Sequence, residues 1–189
     1  PMTIESSDEL PPPATPDDAS IASGIRRVTA QVTGRTLGHL ARERVPVSWV
    51  STVPNQFKPP EKPGEMAFSA VDNAYSMAPY YLQNDEALVM TGRFPKCVFA
   101  NVALWNRFLQ SYDYANRSVS LNRAQTDTDS DGNFRMIIAH KDPGVANWLD
   151  TEGRQSGTVY WRFLLPEGNI VTPKAKVVKF SDIAESHAI

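Results

Sequence analysis

The sequence predicts a mainly β protein: an antiparallel, jelly-roll-like β-sandwich preceded by a proline-rich arm and two short helices. Three observations carry this expectation. Ten of the 15 prolines fall in the first 63 residues, so irregular backbone is concentrated at the start of the chain. Beyond Pro79, the runs 87–94, 97–105, 134–139, 158–165 and 175–180 are rich in β-branched and aromatic residues, a composition that fits a pleated, half-buried surface. Helical and strand-like segments do not alternate, which argues against βαβ units and for antiparallel sheets packed face to face.

The opening arm, residues 1–16, joins the run Pro11-Pro12-Pro13 to the acidic residues Glu5, Asp8 and Glu9. It has too little apolar surface to offset the entropy of ordering and reads as an extended linker or strap of polyproline type. Asp17 or Asp18 then opens a helix, in which Ile21, Ile25, Val28 and Val32 recur at spacings of four, three and four and so share one face. An aspartate ahead of such a run caps the first turn, and Gly34 is the expected stop. Residues 35–44 add a second short helical piece. Between 45 and 64 the chain is irregular, with Pro46, Pro54, Pro59, Pro60 and Pro63 around Trp49 and Phe57. Two large aromatics in such a stretch predict a loop pinned over an apolar surface, of this chain or of a partner. A further helix is expected over 65–77, where Met66, Ala70, Ala74 and Met77 share a face with Val71 and Tyr75 alongside.

The strands follow. Phe134, Met136 and Ile138 alternate with Arg135 and Ile137, and Val159, Trp161 and Phe163 alternate with Tyr160 and Arg162. Asp131-Gly132 and Glu167-Gly168 fall between strand-like runs and read as hairpin turns. The resulting organisation is an arm at 1–16, a helical and irregular strap at 17–80, a sandwich at 81–183 and a tail at 184–189.

Composition narrows the function classes. With 189 residues and 41% hydrophobic content, the chain has enough for one domain with a real core and too little for two full domains. Nineteen basic against 21 acidic residues leave a net charge of −2, with no surplus to neutralise a run of phosphates, so no nucleic-acid partner is expected. One cysteine excludes an internal disulfide framework and a multi-thiolate zinc site. No apolar run approaches the ~20 residues that span a bilayer, and the acidic, proline-rich start is unlike a signal peptide. The expectation is a soluble cytoplasmic protein without a membrane partner, a metal or a cofactor.

Four patterns bear on chemistry. Asp127-Thr128-Asp129-Ser130-Asp131-Gly132 opens like a calcium loop, but its closing position falls on Ile138 where a bidentate glutamate is required, so a solvated acidic turn is expected. The stretch 140–154 is a loop by its Pro143-Gly144. It offers His140 as a general acid or base, with Asp142 or Asp150 to orient it, and Asp150 with Glu152 as a carboxylate pair. The plainer reading of the same stretch is that Asn147 ties the loop through backbone bonds and Trp148 plugs the sandwich. Trp105, Asn106, Asn122, Arg123, Asn147, Trp148 and Arg162 are the candidate ligand-binding residues, either an aromatic-lined pocket or a structural polar network. Cys97, in an apolar run, reads as a packed thiol.

The ordered set Trp105, Tyr112-Asp113, Asp131-Gly132, Asn147-Trp148-Leu149, Gly157, Arg162, Pro166 and Pro173 resembles the domain of unknown function DUF1214. That family's hallmark is a D-G turn and strand, a loop with N-W-L, and a strand ending in an arginine and a proline. The resemblance covers residues 86–180, about half of the chain. A proline usually follows N-W-L, whereas Asp150 and Thr151 follow here, and His140 with Asp142-Pro143-Gly144-Val145 is similar to a branch found as the C-terminal half of longer chains. The resemblance implies a bacterial-type half molecule with a jelly-roll sandwich, or, as in the form paired with DUF1254, two jelly rolls side by side. It supplies no catalytic residues.

Two functions are therefore expected. One is a structural or assembly half, or a small-ligand-binding half, that completes a homo-oligomer or joins a missing N-terminal half. The alternative is a hydrolase or lyase acting on a small polar organic substrate, with His140 as acid or base and Asn122, Arg123 and Arg162 holding the substrate.

Overall fold

The computed structural model describes residues 11, 13–36, 47–64 and 70–183. The chain divides into two compact units between Ala41 and Arg42. In the first, helix α1 spans Asp18–Thr36, two residues past the expected stop at Gly34. Asp17 caps it. The Ser20 N–H donates to Asp17 Oδ1 at 2.7 Å, which holds this carboxyl below its usual range, and Ser20 Oγ donates back to the Asp17 carbonyl at 2.8 Å. Most of the arm, the expected helical piece beyond α1 and the tail lie outside the described residues.

Among the described residues, the second unit has eight strands: β1 (Asn73–Tyr81), β2 (Glu86–Arg93), β3 (Phe99–Trp105), β4 (Ser120–Asn122), β5 (Asn133–Ala139), β6 (Trp148–Asp150), β7 (Ser156–Leu164) and β8 (Lys174–Lys179). They form two four-stranded sheets, sheet I in the order β1-β7-β3-β4 and sheet II in the order β6-β5-β2-β8. All pairs are antiparallel except β5 with β6, so sheet II is mixed where a wholly antiparallel fold was expected. The sheets bury one core between them, with Trp161, Phe163, Val102 and Tyr80 from sheet I and Leu88, Met90, Met136, Ile138 and Leu149 from sheet II. A β-sandwich is thus observed. A second, smaller cluster lies on the opposite side of sheet II, where Trp148, Val145 and Ile183 cover Val89, Ile137 and Ala139.

The helix expected over 65–77 is corrected. The chain turns at Val71-Asp72 and runs extended as β1, and residues 65–69 are outside the described set. Ala74 and Met77 fit a helical spacing by accident. The pattern that matters has period two: Ala74, Ser76, Ala78 and Tyr80 are all buried on one face. Nine register pairs with β7, from Asn73↔Leu164 to Tyr81↔Ser156, outweigh the weak helical preference of alanine and methionine. The sandwich therefore starts at Asn73 rather than at 81.

One further correction concerns a turn, and the strap takes one of its two expected places. Asp131-Gly132 does turn the chain back, with Thr128 bridged to Phe134 and Gly132 at φ 80°. Glu167-Gly168 is not a hairpin, since β7 belongs to sheet I and β8 to sheet II; it is a crossing, held by Glu167 N–H donating to the Lys96 carbonyl at 2.9 Å. Residues 47–64 lie along the free edge of β1, bridging Val50 to Met77 and Glu61 to Tyr75. Trp49 is buried and Phe57 packs on the core, so the strap's aromatics are pinned to this chain itself.

Gly157 opens β7 where the Tyr80 and Tyr112 hydroxyls meet at 2.7 Å. A Cβ there would lie 2.3 Å from Tyr112 Oη and 2.7 Å from the Trp105 carbonyl oxygen, a backbone atom that has little freedom to move. Gly157→Ala is expected to cost about 2–3 kcal/mol of stability through overpacking, read as a lowered urea midpoint with an unchanged slope.

Candidate functional site

The outer face of sheet I is made by the same strands that bury the core. In β7, the alternation that turns Val159, Trp161 and Phe163 inward turns Tyr160 and Arg162 outward. Register then sets their neighbours: Tyr75, Arg162, Asn101 and Asn122 form one row across β1, β7, β3 and β4, and Met77, Tyr160, Ala103 and Ser120 form the next.

Four rings run along this face. Trp105 stacks on Tyr160 at 4.2 Å, Tyr75 stacks on Tyr160 at 5.6 Å, and Trp49 from the strap tilts against Tyr75 at 6.2 Å. The Arg162 guanidinium lies 5.5 Å from the Tyr160 ring centre. Ala103, the smallest side chain of its row, leaves room above it, and a cleft of about 260 Å³ opens there between Trp105, Tyr114, Ser120, Tyr160, Arg162 and Asn101. Two polar atoms among these residues are buried and have no hydrogen-bond partner: Arg162 Nε and Asn101 Oδ1. Burial pushes the Tyr160 hydroxyl up to about 12 against the smaller opposing pull of Arg162, so it stays protonated as a neutral donor.

The residues expected from sequence to act as acid and base are arranged differently. His140 Nε2 lies 3.0 Å from the Gln83 carbonyl, which can only accept, so this nitrogen carries a proton, and Nδ1 pairs with Thr151 Oγ1 at 2.7 Å. The ring ties the β1–β2 turn to a fully buried threonine, and its hydrogen bonds go to neither Asp142 nor Asp150. Asp142 instead accepts the Gly144 N–H at 2.7 Å within its own turn. Asp150 is buried, with Arg117 Nη1 at 2.7 Å on one oxygen and the Glu152 N–H at 2.7 Å on the other. Glu152 takes Arg154 and the Asp113 N–H. The expected orienting bond to His140 is corrected on these contacts, and the two carboxylates answer to separate arginines rather than to each other.

Of the expected ligand-binding residues, Trp105 and Arg162 come together in the cleft. The others hold the chain in place. Asn106 accepts the N–H groups of Phe108 and Gln110. Asn122 and Gln125 form a reciprocal capping box at the 3-10 turn Arg123–Gln125, and Arg123 reaches Cys97 Sγ at 3.8 Å. Asn147, at φ 59°, bonds the backbone of Asp127 in both directions and the Arg135 carbonyl. Trp148 packs beneath that loop and donates to the Ala139 carbonyl at 3.3 Å. Asp129 accepts the N–H groups of Asp131 and Asn133 and the Asn133 amide, the local turn chemistry expected of it. Beside that turn lies a second, larger cleft of about 670 Å³, where Asp127 and Asp129 face Arg93, Arg135 and Lys174. Sequence reasoning missed Asn101 and Tyr160. The available signal was Asn101 itself, a lone amide inside the apolar run of β3.

No family model and no curated protein matches the chain. Among solved structures, it is similar to an uncharacterised protein from Burkholderia cenocepacia at 32% identity and a TM-score of 0.62, over 66% of this chain and 35% of that one. It is also similar to the VPA0106 protein of Vibrio parahaemolyticus at 20% identity and a TM-score of 0.48, over 61% of this chain and 33% of that one. The chain thus spans about a third of the length of each. Among the described residues, no helix is long and apolar enough to cross a membrane.

Two outcomes are expected from these contacts. Arg117→Ala would leave the buried Asp150 carboxylate without its charged donor and is expected to lower the urea midpoint of unfolding. Burial also raises Tyr80 and Tyr112, as it does Tyr160. A raised folded value means that the neutral form is favoured in the folded state, so this contribution to stability is intact below about pH 10. It is lost as pH rises through the folded values. Absorbance titration is expected to show late-ionising tyrosines above pH 10 with unfolding alongside, and Tyr160→Phe to remove one of them.

Proposed function

We propose that this chain is a small-ligand-binding, non-catalytic β-sandwich half of a longer or oligomeric protein of the DUF1214 kind, with jelly-roll-like connections. The observation that carries the reading is the pair of unmet polar atoms, Arg162 Nε and Asn101 Oδ1, among the residues lining the aromatic cleft of sheet I. A buried polar group without a partner costs about 1–3 kcal/mol. Such groups are rare in folded proteins, and these two belong to residues that line a cleft open to a partner from outside. The hydrolase or lyase alternative has no comparable support, because both His140 nitrogens are engaged and its proposed orienting carboxylates bond elsewhere.

Support for a larger assembly comes from two sides. The Burkholderia protein of similar fold is about three times as long as the matched region. Helix α1 also presents Ile21, Ile25 and Val28 on one face, each at least half exposed, a stripe that suits a covering partner. Both similar proteins are bacterial, in keeping with a bacterial-type family.

Amide chemical-shift mapping with a library of small aromatic and polar fragments tests the binding reading. Shifts are expected to cluster on Asn101, Trp105, Tyr160 and Arg162. Clustering around His140, or no shifts at millimolar fragment, would overturn it. A native mass spectrum tests the assembly part: a species larger than one 189-residue chain, or a complex with a second polypeptide, is expected, and a bare single chain would remove that part.

A further inference from the structure

The cleft on sheet I constrains the chemistry of its occupant, an inference that rests on the ligand-binding reading above. We infer that it takes a small, flat aromatic monocarboxylate bearing a hydroxyl or amino group, with its ring on Trp105 and Tyr160, its carboxylate on Arg162 and its donor on Asn101.

Charge gives the first constraint. Arg162 is the sole ionised group among the residues lining the cleft, and no carboxylate stands among them. The Tyr160 hydroxyl is held neutral, so it does not offset the guanidinium. An occupant that neutralises Arg162 is therefore an anion. The planar fork of a guanidinium matches a carboxylate with two parallel N–H···O bonds, one of which Nε supplies when binding is side-on. Nε and Asn101 Oδ1 are both buried and bond no protein atom. A carboxylate accepts from Nε once Arg162 turns towards it, and a donor elsewhere on the occupant meets Asn101 Oδ1.

Shape gives the second. The Trp105–Tyr160 stack at 4.2 Å is an aromatic wall, and Tyr114, 76% exposed, stands at the lip. At about 260 Å³ the space falls just below the roughly 300–1,000 Å³ typical of drug-sized ligands, which suits a single ring with its substituents. Asn101 gives the third. Its unmet atom is an oxygen, an acceptor only, so the occupant presents an O–H or N–H beside its carboxylate end. The larger cleft beside Asp129 gives no comparable constraint, because its lining mixes two carboxylates with three cationic side chains and so sets no single charge for an occupant.

The test titrates the full chain with 2-hydroxybenzoate, 3-hydroxybenzoate, benzoate and the corresponding neutral benzamides, read by calorimetry and by quenching of Trp105 against a Trp105→Phe control. Each hydroxylated acid is expected to bind at least tenfold more tightly than its amide. Arg162→Gln is expected to erase that difference and Arg162→Lys to keep part of it, while Asn101→Leu erases the preference for a hydroxyl. Thermal unfolding of each variant separates loss of binding from loss of fold. Equal binding of acids and amides to the wild type would overturn the carboxylate class while fragments still map to the cleft. If Arg162 and Asn101 serve only to pair with each other, their variants lose stability and leave the acid–amide ratio unchanged, which also overturns it. Absence of any fragment or probe from the cleft removes the ligand-binding reading beneath it.

Discussion

Trp161 sits fully buried at the centre of the sandwich, with Phe163 parallel to it at 5.9 Å and Phe134 reaching across from sheet II at 5.3 Å. Phe94 closes the cluster edge-on at 6.3 Å. Gly92 allows the approach of Phe134, since a Cβ there would lie 2.7 Å from the ring's far carbon. An indole burying about 200 Å² contributes on the order of 5 kcal/mol. That exceeds the roughly 1–3 kcal/mol lost because Trp161 Nε1 has no partner. Packing wins over polarity at this position, and it sets the register of β7. Because side chains alternate, a slip of one residue would carry Arg162 into the core and Trp161 into water. The placement of Tyr160 and Arg162 on the outer face follows from where Trp161 must be.

The two faces of the protein differ in how their polar groups are satisfied. Around His140 every strong group has a protein partner: the ring bonds Gln83 and Thr151, Asp150 holds Arg117, and Glu152 holds Arg154. These bonds close the loop 140–154 over sheet II and leave its side chains little freedom for proton transfer. On sheet I the position is reversed. The rings stack upon one another and form a firm wall, while the hydrogen-bonding capacity of Arg162 and Asn101 is only partly used. A site that binds needs rigid apolar surface and unsatisfied polar groups together, and within the described residues that combination occurs at the cleft.

Much of this was legible in the sequence, for reasons that also explain what was not. The period-two pattern of β5 and β7 and the spacing of Ile21, Ile25 and Val28 in α1 are direct records of burial, or of an apolar stripe, and they predicted those elements. β1 hid because alanine, serine and methionine lack the branching that marks a strand, and its burial comes from pairing with a segment some 80 residues away. β4 and β6, at three residues each, are too short to show alternation. At the site, Trp105 and Arg162 stood out by residue type. His140 and Asp150 stood out as well, because polar residues in a loop draw attention whether they serve chemistry or hold the loop together. Only the geometry of their partners separates the two cases.

The edges of the sheets bear on where a partner would attach. Residues 47–64 occupy the outer edge of β1, and the prolines at 54, 59, 60 and 63, which have no N–H to donate, keep that covering segment from becoming a new edge for pairing. β4 and β6 are too short to template another strand. β8 is longer, but it carries Lys174, Lys176 and Lys179 along six residues, and lysine on an edge strand discourages pairing with a further chain. Strand addition is thus disfavoured at all four edges, by a proline-rich cover, by shortness or by lysine charge. The apolar stripe of α1 has no such protection: Ile21, Ile25 and Val28 stand exposed on one face of a well-capped helix. Extension of a sheet is opposed at every edge, whereas the helix face carries no such opposing device.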